Sequence, residues 1–357
     1  MKNIVFTGGG TAGHIMPNLA IINDLQGYNI FYIGTNAMEK NIISQYPNIK
    51  FIEIDGVKFE RRLTPKNLLI PFKLLKTISA TKKILQKIKP SITFSKGGYV
   101  SIPVCLASNK LGIPVLTHES DLTIGLANKI IAKKSKHLLC SFESTAKKYS
   151  KNAIFTGSPI RKNILNGNPN IIKIRHNLNT NKPIITIVGG SQGAKAINEC
   201  VWNNIDKLTE KFTIIHIVGN KNLNANTSNS NSYIQIKFAK DIENYFAISD
   251  MVITRAGSNT IFELLAIHKP MLLIPLPKSS NSRGDQEDNA KYFEEYGYAN
   301  TLSQNNLTIN SLLDKINETL INKYGYIKKM KNAPNTIGNK KIIDLINTIS
   351  NKNPDIK

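Results

Sequence analysis

The residues with the most chemistry to offer stand near the N-terminus, in Thr7-Gly8-Gly9-Gly10-Thr11-Ala12-Gly13-His14. Glycines let backbone N–H groups approach an anion, and a helix beginning behind them adds a favourable dipole. An imidazole at the end of such a loop takes up a proton near neutral pH. An anionic, phosphate-bearing substrate and a proton transfer are therefore the first expectation. Gly8, Gly10 and Gly13 also satisfy G-x-G-x-x-G, the dinucleotide fingerprint. That reading needs a carboxylate at the end of the next strand to hold ribose hydroxyls. Asn29-Ile30-Phe31-Tyr32-Ile33 runs instead into Gly34-Thr35-Asn36, with no acid. The plain alternative for His14 is a helix-start histidine without chemistry.

Two further glycine turns stand between a strand pattern and a helix pattern. Lys96-Gly97-Gly98-Tyr99-Val100-Ser101 is one, and Gly189-Gly190-Ser191-Gln192-Gly193-Ala194 repeats the opening unit later in the chain. A strand ending at Thr117 would deliver His118-Glu119-Ser120-Asp121 to the same sheet edge, where open α/β folds bind ligands. After Met251-Val252-Ile253-Thr254 comes Arg255-Ala256-Gly257-Ser258, with Ser258 as a natural N-cap for the helix that holds Ile261, Glu263, Leu264 and Leu265. Glu263 is either a grip for paired ribose hydroxyls or an ordinary solvated acid.

These loops need strands to carry them. Strand patterns fall at residues 3–7, 29–33, 50–54, 91–95, 113–117, 137–141 and 153–156. After a turn-rich stretch they resume at 184–188, 214–218, 234–238, 251–254 and 271–275. Alternation with helical periodicity requires parallel sheets with crossover helices, hence an α/β fold of two doubly wound domains facing across a cleft. The domains are set at residues 1–160 and 161–338, and residues 339–357 form a last amphipathic helix free to pack on either.

A chain of 357 residues has room for two cores. No apolar run reaches the ~18–20 residues of a membrane span, and the first strand pattern begins without a signal peptide, so a cytoplasmic location is expected. The three cysteines, Cys105, Cys140 and Cys200, lie far apart, without zinc or disulfide spacing. The net charge of +23 suits a polyanionic substrate or an anionic lipid surface, although a chain rich in Lys, Asn and Ile also reads as the product of an A+T-rich genome. No aromatic-interleaved basic stripe accompanies the lysines, so nucleic acid is not an expected partner. The run Leu68-Leu69-Ile70-Pro71-Phe72 is too apolar for an ordinary loop, and Lys66, Lys73 and Lys76 ring it as they would a membrane-facing patch.

Taken together, these motifs resemble the MurG family of membrane-associated glycosyltransferases. The matching stretches are Gly8 to His14, Gly97 to Ser101, His118-Glu119, Gly125-Leu126-Ala127-Asn128, Gly157 to Arg161, Gly189 to Ala194, Arg255 to Glu263 and Asp285-Gln286 to Asn289-Ala290. They run in order along nearly the whole chain. The resemblance implies a GT-B fold of two Rossmann-like domains. It implies an inverting transfer of N-acetylglucosamine from UDP to the 4-hydroxyl of undecaprenyl-pyrophosphoryl-muramoyl-pentapeptide, lipid I, giving lipid II for peptidoglycan. Alternatives within the same fold are a diacylglycerol glycosyltransferase or a UDP-N-acetylglucosamine epimerase; a non-catalytic basic binding module is a third. The family location is peripheral, on the cytoplasmic face of the cell membrane.

The resemblance also implies roles. Ser191 and its loop would hold the donor diphosphate, Arg161 would lie near the nucleotide, and Glu263 would take the ribose hydroxyls. Gln286 with Asn289 would read the sugar, and Phe238 and Ala239 would offer backbone to the uracil edge. Thr11, Ala12 and Gly13 would touch the donor sugar, with Ser258 bordering the donor site. Gly9, Gly10, Gly97, Gly98 and Tyr99 would face the acceptor pyrophosphate, with His14 as general base. Many family members read His-Glu-Gln-Asn where this chain has His118-Glu119-Ser120-Asp121, so Asp121 would accept where an asparagine donates, or serve as a second base. No Asp-x-Asp pair occurs, so neither a metal clamp nor a cofactor is expected.

Overall fold

Strand residues such as Ile4, Val5 and Phe6 are buried on both sides of the chain, and only a sheet covered on both faces gives them that environment. The computed structural model describes residues 1–57, 70–149, 151–178, 181–220, 222–279, 282–334 and 336–352. Its contacts separate into two units, Met1–Ile160 with Asn335–Lys357, and Arg161–Pro334. The sheet of each unit is parallel throughout.

In the first unit the strands are β1 (Lys2–Thr7), β2 (Tyr28–Gly34), β3 (Ile49–Glu53), β4 (Ile92–Ser95), β5 (Val115–Glu119), β6 (His137–Cys140) and β7 (Ala153–Phe155). Their order in space is β3-β2-β1-β4-β5-β6-β7. The chain lays strands to one side of β1, then returns to its other side at β4, which opens a crevice beyond the carboxyl ends of β1 and β4. Alternation along β1 sorts its side chains. Ile4 and Phe6 join Ile15 and Leu19 of the helix Ala12–Ile22 in one cluster. Val5 faces the other way, into a cluster with Ile78, Leu85 and Ile88 of the helix Ile70–Ile88.

The helix Asn339–Lys352 closes the first cluster with Ile342, Ile346 and Ile349. It is tied down by Asn339, whose Oδ1 accepts from the Ile160 N–H at 2.8 Å. The Asn339 amide group in turn reaches the carbonyls of Ile160 and Ala20, at 3.0 and 3.2 Å, and the Asp24 carboxylate at 2.9 Å.

The second unit holds β8 (Ile184–Val188), β9 (Thr213–Ile217), β10 (Tyr233–Ile236), β11 (Met251–Thr254), β12 (Met271–Leu273) and β13 (Asn300–Thr301). Their order, β10-β9-β8-β11-β12-β13, repeats the same reversal, here between β8 and β11. Its core gathers Ile185, Ile187, Ile214, Met251, Ile253 and Leu272 from the strands against Ile197, Val201, Leu312 and Ile316 from helices.

Several elements differ from the sequence expectation. Strand β5 runs on through His118 and Glu119, because both are buried and paired with β6. The crossover helix begins at Ile70, so Ile70 and Phe72 form its first turn and not a preceding loop. Strand β13 is two residues long, too short for any periodicity to register. Among the described residues no helix is long and apolar enough to cross a membrane.

Replacing Asn339 by alanine leaves the buried Ile160 N–H and carbonyl without that partner. Asn339→Ala should cost roughly 2–4 kcal/mol, read as a lower midpoint of the urea transition that removes the first unit's signal. An unchanged midpoint would mean that the last helix is not bound into that unit.

Candidate active site

At the first unit's crevice the two glycine loops touch. A Cβ on Gly98 would lie 2.3 Å from the Gly9 carbonyl oxygen and 3.3 Å from His14 Nδ1, and Gly98 itself has φ +80°. Only glycine fits there. Lys96 N–H donates to the Thr7 carbonyl at 3.0 Å, which keys the second loop to the end of β1. Tyr99 lies against Gly10, its ring 2.9 Å from where a Gly10 Cβ would stand. Thr11 caps the helix Ala12–Ile22, but its hydroxyl makes no capping bond to the backbone. It sits 3.0 Å from His14 Nδ1 instead, which orients the imidazole. Ala12 and Gly13 form the helix start between them.

The first loop is held from below. Tyr32 donates from its hydroxyl to the Gly8 carbonyl at 2.6 Å, and Gly10 N–H donates to the carboxylate of Glu39, which is fully buried. The Gly10 N–H expected to face a substrate phosphate is thus taken by the chain itself.

Beside the second loop lies a charged cluster that the sequence only half announced. Lys96 is 2% exposed, and its ammonium donates to His118 Nδ1 at 2.7 Å and to the Ser120 hydroxyl. His118 Nε2 faces the Gly157 carbonyl at 3.2 Å, so the ring carries its proton there and acts as a structural bridge. Burial, then the Lys96 charge, push the His118 pKa well below its usual value, so the ring stays neutral. Burial lowers the Lys96 pKa to about 8 against the opposing pull of Glu119 and Asp121. The Glu119 carboxylate accepts from Asp121 N–H at 3.1 Å, Gly125 N–H at 2.9 Å and the Asn128 amide at 3.0 Å, and so shapes the turn that presents Asp121.

The second unit offers a cavity of about 460 Å³ at its own strand reversal, lined by Gly189, Gly193, Ala194, Arg255, Gln286 and neighbours. Arg255 is clamped there by the Ile274 and Pro275 carbonyls, at 3.0 and 3.1 Å, and by Gln304 at 2.6 Å. Ser191 is half-buried on the loop that Gly193 packs against the Val218 carbonyl. Gln286 lines the cavity, its Oε1 accepting from Leu276 N–H at 2.9 Å.

Glu263 is 7% exposed, and both its oxygens are taken by Arg161 in a fork, Nε–Oε1 2.7 Å and Nη2–Oε2 2.9 Å. A carboxylate has about four acceptor sites, so the fork leaves lone pairs for a diol while fixing the carboxylate's plane. Phe238 is 48% exposed just after β10, with Ala239 half-buried beside it. Among the described residues no cluster of three His, Cys, Asp or Glu could hold a metal.

Ser258 stands otherwise than the sequence suggested. Gly257, and not Ser258, is the cap of the helix Ser258–Ala266, and Ser258 is buried in its first turn. Asn289 is fully buried and donates to the Ala256 carbonyl at 3.1 Å, so it also shapes the Arg255 loop.

Residues 4–139 match the model of the glycosyltransferase family 28 N-terminal domain, and residues 184–346 that of the family 28 C-terminal domain. The chain belongs to glycosyltransferase family 28. It is a glycosyltransferase of the GT-B fold. It is 43% identical, over 97% of both chains, to the UDP-N-acetylglucosamine--N-acetylmuramyl-(pentapeptide) pyrophosphoryl-undecaprenol N-acetylglucosamine transferase of Clostridium tetani. The identically named protein of Clostridium botulinum strain Loch Maree is 44% identical, covering 97% of this chain and 99% of its own. Among solved structures, Acinetobacter baumannii MurG superposes with a TM-score of 0.75 at 27% identity, over 98% of this chain and 100% of that one.

For this family 28 chain, sequence reasoning missed Glu39 and Lys96. Glu39 lies four residues beyond Thr35, inside an unremarkable Met-Glu-Lys run. Lys96 had the better signal, a lysine directly following the buried strand pattern Ile92–Ser95. Of the apolar run, Leu68 and Leu69 lie outside the described residues. Ile70 is buried, while Phe72 is 73% and Leu75 58% exposed, so the outward apolar face runs through Leu75 and not through Ile70.

Lys96 gives a signed dependence on pH. Its folded pKa of about 8 lies below the usual 10.5, so between those values the unfolded chain binds more protons. Its burial cost is therefore present in full below pH 8 and fades as pH rises towards 10.5. Urea unfolding of the unaltered chain and of Lys96→Met should show their stability difference moving in favour of the unaltered chain by about 1 kcal/mol per pH unit across that window. A pH-independent difference would place the Lys96 charge in water.

Proposed function

We propose that this enzyme moves N-acetylglucosamine from UDP-N-acetylglucosamine to the 4-hydroxyl of undecaprenyl-pyrophosphoryl-N-acetylmuramoyl-pentapeptide, with inversion at the anomeric carbon, the step from lipid I to lipid II. The observation that carries this reading is near-full-length identity above 40% to transferases of that name. It works at the cytoplasmic face of the membrane, as a peripheral protein.

The chemistry needs three things. The donor must be held by uridine, ribose and diphosphate; the acceptor hydroxyl must lose its proton; and the departing UDP must be stabilised as negative charge grows on it. The second unit supplies the first: backbone near Phe238 and Ala239 for the uracil, Glu263 fixed by Arg161 for the ribose, and the Ser191 loop for the diphosphate. Gln286 takes the sugar hydroxyls. Arg255 stiffens the carbonyls around the cavity, and Asn289 and Ser258 support the same loop. N–H groups of the loop from Gly190 to Ala194, at the start of the helix Lys195–Trp202, meet the leaving diphosphate, apart from that of Gly193, which donates to the Gly190 carbonyl at 3.0 Å. His14 Nε2 accepts the proton, with Thr11 holding Nδ1. Thr11, Ala12 and Gly13 border the reacting sugar. Gly97, Gly98 and Tyr99 meet the acceptor pyrophosphate, and Asp121 lies at the rim of that loop. No step calls for a metal or cofactor.

A turnover assay with labelled UDP-N-acetylglucosamine decides the reading: label should enter a lipid product with a muramoyl acceptor and not with diacylglycerol. His14→Ala should lower kcat by about 10²–10⁴-fold, with UDP affinity by calorimetry unaltered. Turnover that survives the substitution would remove His14 from the mechanism, and label entering only diacylglycerol would replace the acceptor.

The acceptor's lipid anchor requires the enzyme to work at a membrane. Phe72 and Leu75 project from the helix Ile70–Ile88 beside Lys73 and Lys76, an apolar pair with cations suited to anionic headgroups. Phe72→Ser combined with Leu75→Ser should weaken co-sedimentation with anionic vesicles by roughly tenfold or more. Equal sedimentation at low salt would move the contact elsewhere.

A further inference from the structure

The N–H of Gly10 is the group that a phosphate cradle would reserve for its ligand, yet here it meets a carboxylate of the same chain. Strand β2 ends at Gly34 without an acid, and the chain then folds back through the six-residue helix Met38–Ile43, which places Glu39 under the first glycine loop. Glu39 is 0% exposed. One oxygen accepts from Gly10 N–H, and the other from the Thr35 hydroxyl at 3.0 Å.

Two glycines make room for it. A Cβ on Gly9 would fall 1.9 Å from Glu39 Oε1, and a Cβ on Gly34 would stand 3.0 Å from the Glu39 Cβ. The glycines at the end of β2 and in the first loop are therefore spaced around a buried acid. The loop so held leads straight to Thr11 and His14, whose mutual contact sets the imidazole.

We propose that Glu39 is a positioning residue: its carboxylate serves as a built-in anion that takes the Gly10 N–H, fixes the first glycine loop and so aims Thr11 and His14. The idea rests on the reading of His14 as the base. An ionised acceptor on a backbone N–H makes a bond roughly twice as strong as a neutral one. Displacing the base by about 1 Å is enough to cost a hundredfold in rate. A substrate diphosphate then finds the Gly10 N–H already occupied by a carboxylate, and it is met by other groups, the second glycine loop among them.

The test compares the full-length enzyme with Glu39→Ala, Glu39→Gln and Thr35→Val by kinetics, by calorimetry with UDP, and by the amide resonance of Gly10 in glycine-labelled protein with inorganic pyrophosphate as probe. In the unaltered enzyme the Gly10 amide should stay in place as pyrophosphate is added. Glu39→Ala should move that resonance, make it respond to pyrophosphate, and lower kcat about a hundredfold with UDP affinity unchanged. Glu39→Gln, which keeps an acceptor of the same shape, should recover kcat to within about fivefold of the unaltered value. Thr35→Val, which frees one carboxylate oxygen at constant volume, should lower kcat by several-fold and serves if the alanine variant does not fold.

A merely structural role would lower the melting temperature of these variants and leave kcat per folded molecule intact, and that result overturns the proposal. So does a Gly10 amide that shifts with pyrophosphate in the unaltered enzyme. Absence of turnover in the unaltered enzyme would instead count against the proposed function, because the amide measurement does not depend on catalysis.

Discussion

The rest of the first unit depends on one close approach, the Gly98 Cα over the Gly9 carbonyl, where no side chain fits between two loops. It exists because β1 and β4 are neighbours although two strands separate them in the chain. Parallel pairing carries both carboxyl ends to the same edge, and the reversal of strand order leaves that edge open. With both faces of the sheet covered by apolar helices, the edge is the one place where polar groups can gather at the ends of buried strands. A Cβ on Gly98 would push the loops apart and carry His14 away from it, whereas one on Gly9 would strike the Glu39 carboxylate beneath.

Buried charge at these edges follows a common rule. Each buried ion is held by an opposite charge or by several hydrogen bonds, because an isolated one would be costly. Lys96 lies near Glu119 and Asp121, Glu263 is forked by Arg161, and Glu39 has Gly10 N–H and Thr35. Such pairs add little net stability against well-packed apolar groups. Their value is geometric: each fixes the loop it is bonded to. The second unit also contains a buried polar chain without that role. There Asn198 joins the Val218 carbonyl to His216, and His216 joins Tyr233, behind the glycine loop. Burial drops the His216 pKa to about 3, so this imidazole stays neutral and structural. A histidine's surroundings, and not its presence, separate it from His14.

Much of this was legible because periodicity and glycine turns are local. The twelve strand patterns and the loops they carry needed only short windows of sequence, and the repeated strand-turn-helix unit at Gly189 announced a second sheet. What stayed hidden depends on contacts between distant segments. The reach of Glu39 back to Gly10 spans 29 residues and follows from how β2 turns, which no spacing rule encodes. The reasoning that β2 lacks an acid was sound for the strand and blind to the helix after it. The sugar-reading role of Asn289 came from the resemblance alone, while its complete burial is a tertiary fact. Ser258 lost the cap to Gly257 by one residue, the usual margin for helix ends.

The positive charge also looks different once burial is known. Glu39, Glu119 and Glu263 are acids withdrawn from the surface into fixed positions, whereas Lys96 is the single lysine among the buried described residues. Among the described residues, burial therefore removes more negative than positive charge from the exterior. Such a field raises the encounter rate with substrates that carry diphosphates. Codon bias can supply lysines, but it does not choose which acids to bury. Some of the acids that remain outside pair with nearby lysines, as in Lys40–Glu53 and Lys147–Glu143, in contacts too exposed to matter much for stability. The acids the fold has taken inside are instead fixed in place by their hydrogen-bond partners.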